Sequence, residues 1–330
     1  MKASRLIAVL LLLVVALAAT IALGVATGVE HVDWRAAWAA RGPDRTILVG
    51  ARLARVLLGA VVGAALGASG VTFQSLLRNP LADPYVLGVS AGAAVAATIA
   101  MLLGAGWAPL LPVWAFAGAL GAVALVWAVG RVRGRLVPTV ALLAGVVFNA
   151  FAGGLIVALT FLSSRHGAAE AVWLWLAGAL GAPEWFQLGA VAAWTFVGLA
   201  LLMALAPRMN ALALGDEGAH SVGVDVARTR GLLFVAASLL TGAAVAMAGP
   251  IGFVGIVVPH ALRLLLGPDH RLLLPASALG GAVFLTLCDT AARLAFVPLG
   301  SEPAVGILTA LLGGPFFLVL LWRRRGERLF

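Results

Sequence analysis

The residues that could do chemistry are few, and most sit inside apolar sequence. Asp289 and Arg293 lie four apart within the apolar run 272–296, so both fall on one face of a helix and can pair there. Ionisable groups at membrane depth are functional candidates by default. The pair reads as a structural ion pair or as one step of a proton or ion relay. A relay needs titratable partners on neighbouring spans, and no other span supplies a clear one. His260 follows Pro259 without a second ligand four residues on, so it lacks the usual spacing of a helical metal site. His270 falls in a polar turn, Gly267-Pro-Asp-His-Arg271, and suits capping there. The chain is read as lacking a paired catalytic motif of the G-x-S-x-G or H-E-x-x-H kind. Cys288 is the only cysteine, which excludes an intramolecular disulfide. Lys2 is the only lysine. A phosphate-binding loop of the G-x-x-x-x-G-K-[ST] type needs a lysine on the nucleotide phosphates. Any ATP that powers this chain is therefore hydrolysed by another polypeptide. The chain is expected to be no enzyme and to hold neither metal nor cofactor of its own.

The elements that carry these residues are membrane spans. Hydrophobic residues make up 63% of the 330 and charged residues 11%, against roughly 45–50% and about 25% in soluble domains. Lipid accounts for that gap where a soluble core does not. The 40 glycines fit helices that pack through close backbone approach. Ten candidate spans follow, at about 6–27, 52–73, 85–104, 112–130, 138–162, 188–206, 231–248, 251–266, 272–296 and 304–322. The expected fold is an all-α polytopic membrane protein, one membrane domain over 1–330. The first apolar run exceeds the ~7–15 residues of a signal-peptide core and is read as an uncleaved span. The eighth is short and is parted from the seventh by Gly249-Pro250. It resembles a broken helix, which membranes tolerate only beside protein or a water-filled cavity. With both ends cytoplasmic, 15 of the 22 basic residues fall on the inner side, as the positive-inside rule requires. The outer remainder is Arg35, Arg41, Arg45, Arg52, Arg55, Arg165 and Arg293. The net charge of +9 then reflects loop arginines. No aromatic-interleaved basic patch points to nucleic acid.

Three stretches carry further information. Gly59, Gly63 and Gly67 recur every four residues in the second span, leaving one face nearly bare for tight helix packing or for a substrate path. Arg78-Asn79-Pro80-Leu81-Ala82-Asp83-Pro84 holds two prolines four apart, which forbids a continuous helix and predicts a tight cytoplasmic turn. Gln74 at the end of the span reads as a satisfied interfacial polar group. The connection 207–230 is the most polar of the chain. Asp216 is expected to cap a short helix with Glu217 at its positive end and His220 at its negative end. Gly223 suits a left-handed stop, and Asp225 a cap for the next helix. The result would be a rigid knob that fits a groove on a partner.

Together these motifs resemble the permeases of ABC importers for iron-siderophores, haem and cobalamin, the FecCD or type II importer family. The resemblance runs from about Arg52 to Phe317 through Arg52-Leu-Ala-Arg55, Arg78 to Pro84, Leu87-Gly-Val-Ser-Ala-Gly92, Gly249-Pro-Ile-Gly-Phe-Val-Gly255 with Pro259-His260, and Gly267 to Arg271. Two departures stand out. Ala54 replaces a proline in the first motif, and Glu302-Pro-Ala-Val-Gly306 carries its proline one place early.

The resemblance implies a homodimer of ten-span subunits in the bacterial cytoplasmic (inner) membrane. Two cytoplasmic ATPase subunits, which bind the ATP and Mg, and a periplasmic or lipid-anchored binding protein complete the assembly. It implies ATPase coupling through Leu214, Gly215, Asp216, Glu217, His220, Gly223, Asp225 and Arg228. It further implies binding-protein docking on exposed Arg52, Arg55 and Arg293, and a cytoplasmic gate of Asn79 and Leu81 with Pro138 and Thr139. The expected cargo is a metal chelate, an iron-siderophore first and cobalamin or haem next. An ion-gradient-driven secondary transporter is the alternative. It would need inverted repeats and midplane ionisable sites, and neither is clear.

Overall fold

The computed structural model describes residues 3–28, 32–33, 36–37, 42–104, 110–163, 167–299 and 302–323. Lys2, Arg35, Arg41, Arg165, Arg324, Arg325 and Arg328, used above to orient the chain, lie outside the described residues. Apolar side chains run all round most helices, so burial inside the protein does not decide where each helix ends. Many ends are set by Pro, Gly or polar caps, as at Gly88, Gly104, Pro138, Glu184, Asp225, Gly249 and Gly267.

The chain forms α1 (Ala3–Ala26), α2 (Ala54–Leu76), α3 (Val89–Leu103), α4 (Leu111–Gly130), α5 (Pro138–Leu162) and α6 (Ala168–Leu176). It continues through α7 (Trp185–Leu212), α8 (Gly215–Ser221), α9 (Val226–Ala248), α10 (Val254–Leu266), α11 (His270–Leu299) and α12 (Val305–Arg323). Among the described residues seven stretches are long and apolar enough to cross a membrane, and α3, α10 and part of α12 are shorter apolar helices. The fold is an all-α membrane protein. The one strand pairing among the described residues is a small hairpin, β1 (Arg131–Val132) with β2 (Arg135–Leu136), turned by Arg133 and Gly134 at positive φ.

Several expectations are corrected. The second span does not begin near Arg52: a π-helical segment, Thr46–Leu53, runs directly into α2. The sixth does not stop before Pro207: α7 passes through that proline to Leu212. A proline in a helix interior costs about 3 kcal/mol, and packing offsets it here because Ala206, Met209 and Leu212 are all buried. The short helix α6 was not foreseen. The broken element is real. α10 has 13 residues, or about 20 Å at 1.5 Å per residue, short of a ~30 Å hydrocarbon core. Residues 249–253 lead into it without helix, and Phe253 takes φ 70°.

Helix α2 is the core of the bundle. It packs against α11, α9, α10 and α7. Its glycines serve tight packing rather than a path. A Cβ on Gly63 would lie 2.2 Å from the Gly281 carbonyl oxygen, and one on Gly67 2.1 Å from that of Ser277, both on α11. A Cβ on Gly70 would lie 2.0 Å from the Gly255 carbonyl oxygen of α10. Backbone therefore rests on backbone along the central seam, as small residues permit between membrane helices. A second glycine contact joins α3 to α4 through Gly92 and Gly118. By contrast α5 keeps much of its surface outside the bundle, with Leu143, Val147, Phe151 and Phe161 exposed.

Candidate functional site

Functional side chains gather at the two ends of α2. At the end expected to face outward, Asp289 of α11 is 1% exposed. It accepts hydrogen bonds from Arg55 Nε at 3.0 Å and Nη2 at 2.7 Å on one oxygen, and from Arg293 Nε at 3.1 Å on the other. Arg55 Nη2 also pairs with Glu302. Arg293 donates to the Thr27 carbonyl at 3.1 Å and to Thr290 Oγ1 at 3.3 Å. Two cations and two anions thus tie α1, α2 and α11 to the residues before α12. The i,i+4 pair read from sequence exists, and Arg55 is a partner it missed. The expectation of exposed outer guanidiniums is corrected, because Arg52 and Arg293 are buried at 9% and 6% exposure. Arg52 lies under Gly28, whose Cβ would fall 2.5 Å from the guanidinium carbon. Of the three arginines only Arg55, bound to half-exposed Glu302, borders the open surface.

At the opposite end α2 stops at the predicted turn. Asn79 Oδ1 accepts from Leu81 N at 2.9 Å, and Asp83 accepts from Tyr85 N at 2.9 Å, so each pre-proline residue closes its own local turn. Gln74 is satisfied as expected: it donates to Gly255 O at 3.2 Å and accepts from Arg263 at 2.8 Å. Tyr85, which the sequence did not single out, donates its hydroxyl to Ile251 O at 2.8 Å and accepts from Ile251 N at 2.9 Å. The turn is thereby fastened to the broken segment before α10. Asn149 of α5 donates to Tyr85 O at 3.1 Å, and Gly145 lets α5 approach Val86 O. The turn and the first half of α5 are joined there, while Pro138 opens α5 and Thr139 beside it is exposed.

A cavity of about 670 Å³ opens between α3, α5 and α6, with Asp83, Tyr85, Ser90, Asn149, Trp173 and Pro250 among its lining residues. Gly88-Val-Ser-Ala-Gly92 borders it and does have G-x-S-x-G spacing, which corrects the expectation that this spacing is absent. Here that spacing opens a helix after a 3-10 turn rather than after a strand, and no histidine lines the cavity. A hydrolase nucleophile needs both.

The knob forms much as read, with one change. Gly223 has φ 82°, and Asp225 accepts from Arg228 N at 2.9 Å to cap α9. Asp216 does not cap α8, since Leu214 holds the cap position without a side-chain bond. Asp216 instead takes Arg230 bidentately, at 3.0 and 2.7 Å, and pairs with Arg78. Arg78 directly precedes Asn79, so one carboxylate links the knob to the turn. Leu214 and Val222 stand 66% and 60% exposed at its tip. Glu217, His220, Asp225 and Arg135 line a shallow cavity of about 680 Å³ beside it. Nearby, Asn210 of α7 bonds Asp269 at 2.7 Å and accepts from His270 N at 2.9 Å, so His270 does serve the start of α11.

Burial works against ionisation of Asp216, but the hydrogen bonds and charge of Arg230, then of Arg78, hold its carboxyl below the usual carboxylate range. A carboxyl with a folded pKa below its unfolded one stabilises the fold fully above the unfolded value and loses that effect as pH falls through the folded value. Hydrogen-exchange protection of residues 214–225 should therefore stay constant from about pH 7 to about pH 5 and fall only below the ordinary carboxylate range. Asp216→Asn should lower that protection at neutral pH. Equal protection in variant and parent would show that the triad does not hold the knob.

Apolar helices on a glycine seam, a broken helix, a polar knob and a charge cluster at the far end describe a membrane permease. The chain matches the FecCD transport family over residues 10–323 and belongs to that family. It is 46% identical over 276 residues to the cobalamin import system permease protein BtuC of Halobacterium salinarum, covering 83% of this chain and 73% of that one. It is 40% identical to the hemin transport system permease protein HmuU of Yersinia pestis, with 93% of each chain covered. Its fold matches a solved inward-facing conformation of a metal-chelate type ABC transporter with TM-score 0.83 at 28% identity, covering 96% of this chain and 99% of that one.

Proposed function

We propose that the chain is the permease subunit of an ATP-binding-cassette importer that brings a metal chelate into the cytoplasm. Two copies line the path, two ATPase subunits grip the knob, and a binding protein delivers cargo from outside. The observation that carries the mechanism is the Arg78–Asp216–Arg230 triad. A push on the knob reaches the turn of Asn79 and Leu81 through one carboxylate. From there it reaches α5 through Asn149 and the segment before α10 through Tyr85. ATPase closure and gate movement are thus two ends of one hydrogen-bonded chain, and each state of the ATPase favours one state of the gate. At the outer end, a carboxylate of the binding protein competes with Glu302 for Arg55, which gives register more than affinity. Arg52 and Arg293 hold that mouth in shape from beneath. The cavity beside α5 is largely apolar, which suits a large ligand already selected by its carrier. Family relatives named for cobalamin and for hemin support the chelate class.

Reconstitution tests this. Vesicles holding the permease with its ATPase and binding protein should accumulate one of a ferric siderophore, cobalamin or haem only when ATP is present. Vesicles holding the permease alone should concentrate none. Uphill uptake by the permease alone under a proton or sodium gradient would overturn the reading.

A further inference from the structure

We propose that this permease carries a specific site for an anionic phospholipid of the cytoplasmic leaflet, between the knob-proximal ends of α4 and α9. A slot of about 380 Å³ opens there. Its wall is Trp127 of α4 against Gly231 of α9, where a Cβ would meet the indole at 2.8 Å, so the glycine makes room for the ring. Toward the membrane the slot is bounded by Leu232 and Val235, 36% and 39% exposed. Its other rim holds Arg131 and Arg228, both exposed. The Arg131 guanidinium sits over Trp127, 5.6 Å from the ring centroid, a distance at which a cation is held by the ring face. It also donates to Gly134 O at 3.3 Å.

Among the described residues no acid lines the slot. The nearest carboxylate along the chain, Asp225, is engaged by the backbone of Arg228. Two guanidiniums over an apolar floor at a helix end match a phosphate with an acyl chain beneath it. Basic pockets between membrane helices on the cytoplasmic side bind acidic headgroups in this way, and arginine grips phosphate bidentately. A tryptophan at this depth belongs to the interface. The floor commits the site to lipid rather than to free phosphate. The inference rests on the orientation given under the proposed function for its leaflet only, since the slot exists whichever way the chain faces.

The experiment is native mass spectrometry of delipidated full-length protein in neutral detergent, titrated with phosphatidylglycerol, cardiolipin or phosphatidylcholine of matched chains. The anionic lipids should be retained in preference to phosphatidylcholine. Arg131→Gln with Arg228→Gln should reduce that preference on the order of tenfold. Arg208→Gln with Arg271→Gln, elsewhere on the same face, should leave it. Val235→Trp, which fills the slot and keeps both charges, should lower retention of the anionic lipids. The proposal falls if the preference survives the first double variant, if the second double variant abolishes it equally, or if glycerol phosphate displaces the lipid completely. It also falls if the first variant keeps its lipid and loses the ATPase instead, which would assign the rim to the partner. None of these readouts requires uptake, so they stand apart from the test of transport.

Discussion

Replacing Asp289 with alanine should destabilise the protein by about 3–5 kcal/mol, the usual cost of stranding a buried charge. The carboxylate is 1% exposed and serves two arginines at once. Arg55 would retain Glu302, but Arg293, itself 6% exposed, would lose the one carboxylate it bonds directly among the described residues. Cys288 makes the measurement convenient. It is the only thiol in the chain, 3% exposed, and adjacent in sequence to Asp289. A thiol-reactive dye should label the variant at a clearly lower temperature than the parent. Adding Arg293→Met should restore part of the loss by removing the stranded cation, which a simple cavity would not predict. Unchanged labelling in Asp289→Ala would show that the cluster contributes nothing to stability.

The second large effect belongs to the seam. Gly67→Ala puts a methyl where the Ser277 carbonyl oxygen already lies 2.1 Å away. Neither neighbour can rotate aside, because both are backbone. Overpacking typically costs about 1–3 kcal/mol where side chains can adjust, and here the helices themselves must part. Gly63→Val with Gly67→Val should leave no folded protein in detergent. Gly153→Ala with Gly154→Ala on α5 should do the opposite. Beyond the helix's own adjoining backbone, no described atom lies within 4 Å of either added methyl, and each exchange favours helix by up to about 1 kcal/mol. Chromatographic monodispersity and thermal unfolding of the two sets decide the matter. Similar behaviour in both would mean that the close contacts on α2 carry no special weight.

The all-α membrane character was legible because lipid demands long apolar runs; of the ten runs read, seven form helices long enough to cross among the described residues and three form shorter ones. Pro138 and Leu162 bound α5 as read. The knob was legible because Gly223 and Asp225 act within a few residues of themselves. What escaped was set by distant neighbours. Nothing near Arg55 announces that its partner lies 234 positions away on α11. Asp216 looked like a cap from its own neighbourhood, yet Arg230 and Arg78 claim it. Pro207 read as a stop, which is its local preference, and buried neighbours overrule it. The exposure of the outer arginines was misjudged for the same reason: the resemblance suggested a surface role, and packing decided the depth.

A join made of main chain alone has few ways to yield. It offers no rotamers to exchange, and sliding would first have to lift one carbonyl over another. Helices α2, α10 and α11 are therefore expected to behave as a keel, keeping one shape through every stage of a transport cycle. Flexing is left to α5, where a side chain at Gly153 or Gly154 would meet open space and whose middle is tied to the keel through Asn149 and Tyr85. The rigid seam and the helix left to flex would then meet at the short turn of Tyr85 and Val86.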